Sequence, residues 1–471
     1  MLPSLLWAAY YREWESLFAF SKSIGATVIL SALLFAIGRK ATNKMFQREA
    51  LLIVALSWFV AAIVGSFPYI ATGSLGTIDA FFESMSGFTT TGSTVIQNIE
   101  AQPKSLLFWR ALSEWLGGAG IVVLFVAVLP YLGAGGKQLF KTESTGTDPH
   151  GITPRIKDTA AMLYKTYLAL TISMAVALML AGMTFFDAIC HTLTTLSTGG
   201  FSTRQASIAA FDSVAIESVV FVFMIIGGTS LTLIFMFYNK GWRDPFKDTE
   251  WRVFVGIILL LTLILTANLT LGTHYINDVP QEESYSPGYS LRIAAFQTVA
   301  ILTGTGFAIH DFDQWPHFSR MILFVAMFFG GCAGSTAGGI KIVRIVMLAK
   351  IAFWRIENTF RPKTVRAIRI GKHVIDDDTR KSVHAFFVIY VGWFVFGAVF
   401  MSGLGLPFES AMASVAATLN NVGPGFDMVG PTQDYSQIPP LGKLFLSLCM
   451  VLGRLELFSI CVLFLPAFWR R

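Results

Sequence analysis

The chain has 471 residues, 54% of them hydrophobic and only 14% charged, and its 42 Phe outnumber its 35 Lys plus Arg. A soluble domain carries about 25% charged residues, and a chain with a mean hydropathy of +0.62 has too little polar surface to face water on all sides. This excludes a soluble enzyme, a disordered protein and a secreted disulfide scaffold. The four cysteines, at 190, 332, 449 and 461, lie in apolar runs without a Cys-x-x-Cys pair and read as core packing.

In chain order, residues 1–20 mix Leu5, Leu6, Trp7, Tyr10, Tyr11 and Trp14 with Arg12, Glu13 and Glu15. They read as an interfacial stub rather than a full span, and without a basic n-region or cleavage site they are not a signal peptide. Whether the stub spans or lies in the interface stays open. Apolar runs follow near 24–38, 50–70, 106–132, 161–183, 214–238, 253–271, 319–350, 383–402 and 442–468. A helix crosses the hydrocarbon core with about 20 residues, so these nine runs are expected to be nine full spans. The segments 39–49, 131–160, 239–252 and 341–381, with the tail, hold 25 of the 35 basic residues, which places them on the cytoplasmic side. The net charge of +6 is a topology signal rather than a nucleic-acid patch.

Strict alternation leaves four short apolar segments on the outer side, at Ala80–Phe88, 187–201, 292–307 and 408–426. Too short to span, they read as re-entrant pore helices, whose non-helical ends are tolerated at membrane depth only where buried or lining a watery cavity. They align without gaps on Gly92, Gly200, Gly306 and Gly423, which are spaced 108, 106 and 117 residues apart. A polar residue stands nine before each glycine: Glu83, His191, Gln297 and Ser414. All four copies begin on the basic side, so the repeats are parallel and surround one pathway along the membrane normal, unlike the inverted repeats of many secondary transporters.

The C-terminal end of a pore helix directs partial negative charge at the axis, favouring a cation there. A glycine after each helix lets the backbone adopt positive φ and aim carbonyl oxygens inward, and a ring of carbonyls replaces the hydration shell of a potassium-sized ion. Hydroxyls at 89–91, 197–198 and 303–305 add ligands or brace the loops. One Thr-Thr-Gly would be an ordinary helix cap and turn; four copies in register point to a filter.

The motifs Phe88-Thr-Thr-Thr-Gly92, Leu196-Ser-Thr-Gly-Gly-Phe201, Thr303-Gly-Thr-Gly-Phe307 and Asn420-Asn-Val-Gly-Pro-Gly425, with Thr153-Pro-Arg-Ile156, Gly330 to Lys341 and Gly453-Arg-Leu-Glu456, run through nearly the whole chain. With them the sequence resembles the pore subunit of bacterial Trk potassium uptake systems, the TrkH type, in the superfamily that includes KtrB and the plant HKT transporters. The resemblance implies a channel-like potassium pathway, a homodimer, and a cytosolic ring of nucleotide-binding RCK subunits of the TrkA type. It implies potassium contacts at Thr90, Thr91, Gly92, Thr198, Gly199, Gly200, Gly304, Thr305, Gly306, Asn421, Val422 and Gly423. The family usually begins with two extra helices; here only the second, near 24–38, reads as complete, the first being cut to the stub around Leu2–Trp14.

Five of the ten residues from Gly330 to Gly339 are glycine, each costing about 1 kcal/mol in a helix interior. The tract reads as an unwound intramembrane segment below the filter, with Gly331, Gly334, Ser335, Thr336, Gly338 and Gly339 as gate residues, and the resemblance implies a gating loop at the same place. Gly117-Gly118 and Gly227-Gly228, at parallel positions, read as close helix packing. Arg454 and Glu456 lie inside the last span, and an intramembrane charge marks function by default. Arg454 aligns with the Gly-Gly positions and is expected beside the tract; the alternative is a structural ion pair with Glu83 or Glu114. Lys341 either lines the inner mouth or is an ordinary cytoplasmic anchor. Glu83 and His191 share one pore-helix slot and are expected to brace rather than touch an ion.

The expected fold is an all-α integral membrane protein: an N-terminal extra helix region (residues 1–47), then four tandem span–pore-helix–span repeats (48–134, 135–242, 243–355 and 356–471) around a central pore. The expected function is potassium uptake across the bacterial inner membrane by a multi-pass protein in membrane lipid, with potassium as the bound ion; channel or proton- or sodium-coupled symport stays open. An intramembrane enzyme needs a nucleophile beside a His or a paired metal motif, and none of the seven His is so placed. No glycine-rich phosphate loop on a strand-to-helix turn exists, so no nucleotide is expected on this chain, and a regulatory ring is expected as a separate chain, docked on 131–160, 239–252 and 341–381.

Overall fold

In this computed structural model the described residues are 1–39, 47–120, 156–240, 245–272, 274–276, 279–281, 285–361, 369–370, 373–375, 377–455 and 457–470. The inner half of the expected span 106–132, the segment 131–155 with Thr153 to Arg155, and Glu456 lie outside them, as do Arg243, Asp376 and most of the basic residues of 39–49 and 362–372.

The chain opens with α1 (Leu2–Tyr10) and α2 (Trp14–Gly38). The stub is thus a helix of nine residues, too short to span at 1.5 Å per residue. The complete helix starts at Trp14 and not near 24, because Phe18, Ser21 and Lys22 continue its helical register outward. Each repeat then supplies an unbroken span and a short re-entrant helix: α3 (Gln47–Ala71) with α4 (Thr77–Phe88), α6 (Ile156–Leu180) with α7 (Phe185–Leu196), α10 (Thr249–Leu271) with α11 (Pro287–Leu302), and α14 (Asp377–Gly403) with α15 (Phe408–Leu419). Local capping fixes several starts: Thr184 accepts from the Asp187 N–H, Ser213 from Ile216, and Asp248 from Trp251. The second spans are α5 (Lys104–Gly118), α8 (Val214–Gly227) continued by α9 (Leu231–Lys240), α12 (His317–Ala326) continued by α13 (Ile342–Phe360), and α16 (Pro440–Arg454).

Five helices among the described residues are long and apolar enough to cross a membrane: α2, α3, α6, α10 and α14. Five of the nine expected full spans are thus single helices; the break expected at the glycine tract is present, and a further one, between α8 and α9, was not expected. Among the described second spans, α8 and α9 meet at 105°, α12 and α13 are separated by residues 327–341, and α16 ends at Arg454. The second spans share backbone packing that only glycine allows. A Cβ at Gly117 would overlap the Phe88 carbonyl, and one at Gly118 would stand 2.7 Å from Ser197 Cβ. One at Gly228 would stand 2.8 Å from Thr303 Cγ2, and one at Gly453 2.6 Å from Asn421 Oδ1. Each glycine seats its span on the C-terminal end of a pore helix, its own or the next repeat's.

These contacts close the architecture. The second span of repeat 1 packs on the pore helix of repeat 2, α8 packs on α11, and α16 packs back on α4. One large core runs through all four repeats, while Val28, Ile29, Leu33 and Phe35 on α2 stay exposed, as suits a lipid-facing helix. The helical class expected from sequence holds. Two two-stranded hairpins, His274–Ile276 with Val279–Gln281 and Arg369–Ile370 with His373–Val374, are additions that hydropathy did not reveal.

Candidate functional site

The four pore helices end one residue before loops of the same conformation. Gly92, Gly200, Gly306 and Gly423 all have positive φ, at 81°, 85°, 68° and 94°. The residue two before each glycine is left-handed as well: Thr90 (53°), Thr198 (57°), Gly304 (71°) and Asn421 (54°). Sequence reasoning foresaw positive φ for the first set; it named the second as ion contacts but not as left-handed positions. A signal existed, since repeat 3 places a glycine there and repeat 4 an asparagine, the residues that enter this region most readily.

The loops form a closed ring. A Cβ at Gly92 would overlap the carbonyl oxygen of Gly199, one at Gly200 that of Thr305, and one at Gly306 that of Val422; one at Gly423 would stand 2.8 Å from the Thr91 oxygen. Each glycine therefore abuts the carbonyl of the residue preceding the next repeat's glycine, and repeat 4 returns to repeat 1. All four glycines line one cavity on the outer side, with Tyr435 on its wall.

The hydroxyls brace these loops. Thr89 and Thr91 Oγ1 pair at 2.8 Å, as do Thr303 and Thr305, and Asn421 Nδ2 reaches from repeat 4 to Thr91 Oγ1 at 2.8 Å. The polar residue nine before the glycine holds the chain just after it in three repeats. Glu83 accepts from Thr94 Oγ1 and the Val95 N–H (2.9 Å), His191 Nε2 pairs with Ser202 Oγ at 3.0 Å, and Gln297 Nε2 donates to the Phe307 carbonyl at 3.3 Å. Ser414 turns back to its own helix; in repeat 4 Tyr435 Oη and Ser93 Oγ donate to the Gly423 carbonyl instead, at 2.9 and 3.0 Å.

Behind repeat 1 lies a residue that sequence reasoning passed over. Arg110, 1% exposed, pairs with the fully buried Glu83 at 2.8 Å, donates to the Ser202 carbonyl at 3.1 Å and lies over the Phe201 ring. Its signal was an arginine inside an apolar run. The alternative that Arg454 pairs with Glu83 or Glu114 is thereby corrected: Glu83 is held by Arg110, and both Glu114 oxygens accept the Phe201 N–H at 3.2 Å. Removing one member of a buried pair costs about 3–5 kcal/mol. Arg110→Met should therefore lose its folded fraction in detergent, measured by thermal unfolding on a sizing column, and Glu83→Gln combined with it should recover part. A single variant as stable as the parent would make the pair dispensable.

Beneath the ring sits the glycine tract. Gly330 N–H donates to the Ile340 carbonyl at 2.8 Å, so residues 331–339 form a loop closed at its base. Thr336 Oγ1 donates to the Leu196 carbonyl at the end of α7, at 3.0 Å, and a Cβ at Gly338 would stand 2.6 Å from Asn421 Oδ1. Arg454 Nη1 donates to the Thr336 carbonyl and its Nη2 to the Gly117 carbonyl at 2.8 Å. Lys341 is buried and its Nζ donates to the Ala337 carbonyl, which turns it into the loop. Gly331, Gly334, Ser335 and Gly339 belong to the same loop, with Gly334 and Gly339 left-handed.

On the outer face, Asp313 accepts the Asp427 N–H at 3.1 Å and so ties the turn Phe312–Gln314 to the loop that follows Gly423. Burial, then the neighbouring Asp311 and Glu409, push its carboxyl up to about 7 against the opposing pull of Arg320 and the Asp427 N–H. A carboxyl raised in the fold stabilises it below its unfolded value and loses that contribution as pH rises through the folded one. Asp313→Asn should therefore raise the melting temperature at pH 8 and leave it unchanged near pH 4. Equal shifts at both values would remove the electrostatic account.

The family model for TrkH, a cation transport protein, matches residues 16–471. The chain belongs to the TrkH family. It is 40% identical to the Trk system potassium uptake protein TrkH of Halomonas elongata, over all of this chain and 96% of that one. It is 37% identical to the protein of the same description from Escherichia coli K12, over 100% of this chain and 95% of that one. The crystal structure of the potassium transporter TrkH from Vibrio parahaemolyticus superimposes with a TM-score of 0.87 at 37% identity, over all of this chain and 96% of that one. As a TrkH-family member with five long apolar helices and their broken partners among the described residues, the chain is a multi-pass protein of the inner membrane.

Proposed function

We propose that this protein carries potassium into the cell through a channel-like pore, and that the ring of four loops is its selectivity filter. The carrying observation is the closed sequence of carbonyls: Thr91, Gly199, Thr305 and Val422 each lie against a neighbouring repeat's glycine, with the residue just before each carbonyl left-handed in every loop. Four equivalent loops present the oxygens that a dehydrated potassium ion requires. Thr90, Thr198, Gly304 and Asn421 set the loop conformation, and the side chains of Thr91 and Thr305 hold it. The relatives described as potassium uptake proteins support the same cargo.

The tract 331–339 is the proposed gate. It lies on the pathway below the ring, and Arg454 fastens it in a closed state. Regulation falls to a cytosolic RCK-type ring of the TrkA type, docked on the basic cytoplasmic segments, and the protein works as a homodimer. The division at residues 48, 135, 243 and 356 belongs to this reading. The test is potassium-dependent rescue of cells lacking their own uptake systems, followed by flux in liposomes with and without a proton or sodium gradient. Rescue with rubidium accepted and sodium refused is expected. Flux that requires a gradient of the second ion would replace the channel by a symporter, and absence of potassium flux in either setting would overturn the reading.

A further inference from the structure

We infer that the glycine tract is held in place by a two-point clasp built from repeats 2 and 3, with Glu250 as one point and the corner of the bent span between α8 and α9 as the other. This rests on the gate reading above and adds to it the element that positions the gate. Glu250, in the first turn of α10, accepts the Ala333 N–H at 2.8 Å and the Val343 N–H at 3.0 Å with the same oxygen. Those two donors stand on the two shoulders of the tract, so one carboxylate oxygen pins both ends of the loop. At the corner, the Cys332 N–H donates to the Gly228 carbonyl at 2.9 Å, the Leu231 N–H donates to the Gly334 carbonyl at 3.1 Å, and Thr336 Oγ1 donates to the Gly227 carbonyl at 3.1 Å.

The chemistry of the two breaks explains why they meet. A continuous helix would satisfy the Gly227 and Gly228 carbonyls and the Leu231 N–H internally; the 105° bend leaves them orphaned. The tract orphans its own backbone groups in the same way. At membrane depth each unsatisfied group costs several kcal/mol, so the two defects are stable only when paired with each other or when water reaches them. The clasp therefore has two allowed states: engaged and dry, or released and wetted. Those are the states a gate across an aqueous pathway requires. Both points also flank one stretch of chain, because α9 begins at Leu231, beside the corner, and the stretch that follows α9 leads to Glu250 in the first turn of α10. A partner bearing on the basic segment 239–252 would act on both.

Cys332 reports on the clasp directly, being 2% exposed and one residue from Ala333. The experiment uses full-length protein in liposomes, in a Cys461→Ser background, and follows alkylation of Cys332 by a maleimide with peptide mass spectrometry. Cys190 and Cys449, both buried in the core, are internal controls for general loosening. Three variants are compared. Glu250→Ala removes one point. Glu250→Gln keeps an acceptor oxygen and should restore most of the parental behaviour. Leu231→Pro removes the second point's donor at the first position of α9, where proline is tolerated without breaking the helix. Glu250→Ala and Leu231→Pro are each expected to label Cys332 at least tenfold faster, with Cys190 and Cys449 unchanged, and to raise basal potassium flux at an unaltered potassium-to-sodium ratio. Parental labelling in Glu250→Ala would overturn the clasp and leave the gate reading untouched. Equal acceleration at all three cysteines would also overturn it, as plain destabilisation. Faster labelling of Cys332 alone with unchanged flux would uphold the clasp and remove the gate assignment.

Discussion

Serine at Gly92, Gly200 or Gly306 is expected to abolish discrimination between potassium and sodium or to prevent assembly of the ring, whereas serine at Gly423 is expected to weaken discrimination only. All four positions require φ between 68° and 94°, where a side chain costs about 1–2 kcal/mol. The difference comes from the neighbours. At the first three positions the new Cβ would overlap a carbonyl oxygen of the next repeat, while at Gly423 it would stand 2.8 Å from the Thr91 oxygen and require a smaller shift. The displaced atoms are the oxygens proposed to coordinate the ion, so the cost falls on selectivity and not on a distant surface. A loss of about tenfold in flux ratio corresponds to about 1.4 kcal/mol of lost discrimination, and the three severe variants should exceed it. Potassium, rubidium and sodium fluxes in liposomes measure the effect. Parental ratios in all four variants would end the filter assignment.

The second large effect is expected at Arg454. Its guanidinium holds the Thr336 carbonyl of the tract and the Gly117 carbonyl of repeat 1, joining the proposed gate to the opposite side of the pathway. Hydrogen bonds from a charged donor contribute about 1.5–3 kcal/mol each. Arg454→Ala should therefore shift the closed state by tenfold or more and raise basal potassium flux, with the potassium-to-sodium ratio unchanged because the ring above is untouched. Deleting several residues of 331–339 should do the same and should blunt control by a cytosolic ring. Variants that reach the membrane and conduct like the parent would make the tract a packing device and move the gate elsewhere.

The class of the protein, the four re-entrant helices and the glycines at 92, 200, 306 and 423 were legible from sequence alone. Each is local: hydropathy and a repeated glycine register are carried by adjacent residues. The glycine tract was legible for the same reason, since five glycines in ten residues oppose a helix wherever they fall. What only the tertiary structure decided depends on partners far apart in the chain. Gly117 and Gly227 looked like packing glycines within intact spans. Their role is to let backbones meet the ends of pore helices, and that approach accompanies the 105° bend after Gly227, which hydropathy cannot register because the two arms together read as one apolar run. Arg110 finds Glu83 and Ser202, Asn421 finds Thr91, and Glu250 finds Ala333, each across a fold that one sequence does not display. A buried polar group in a membrane takes whichever partner the packing brings within about 3 Å. The residue types announced that such partners must exist, and the packing of four repeats around one axis determined which they are.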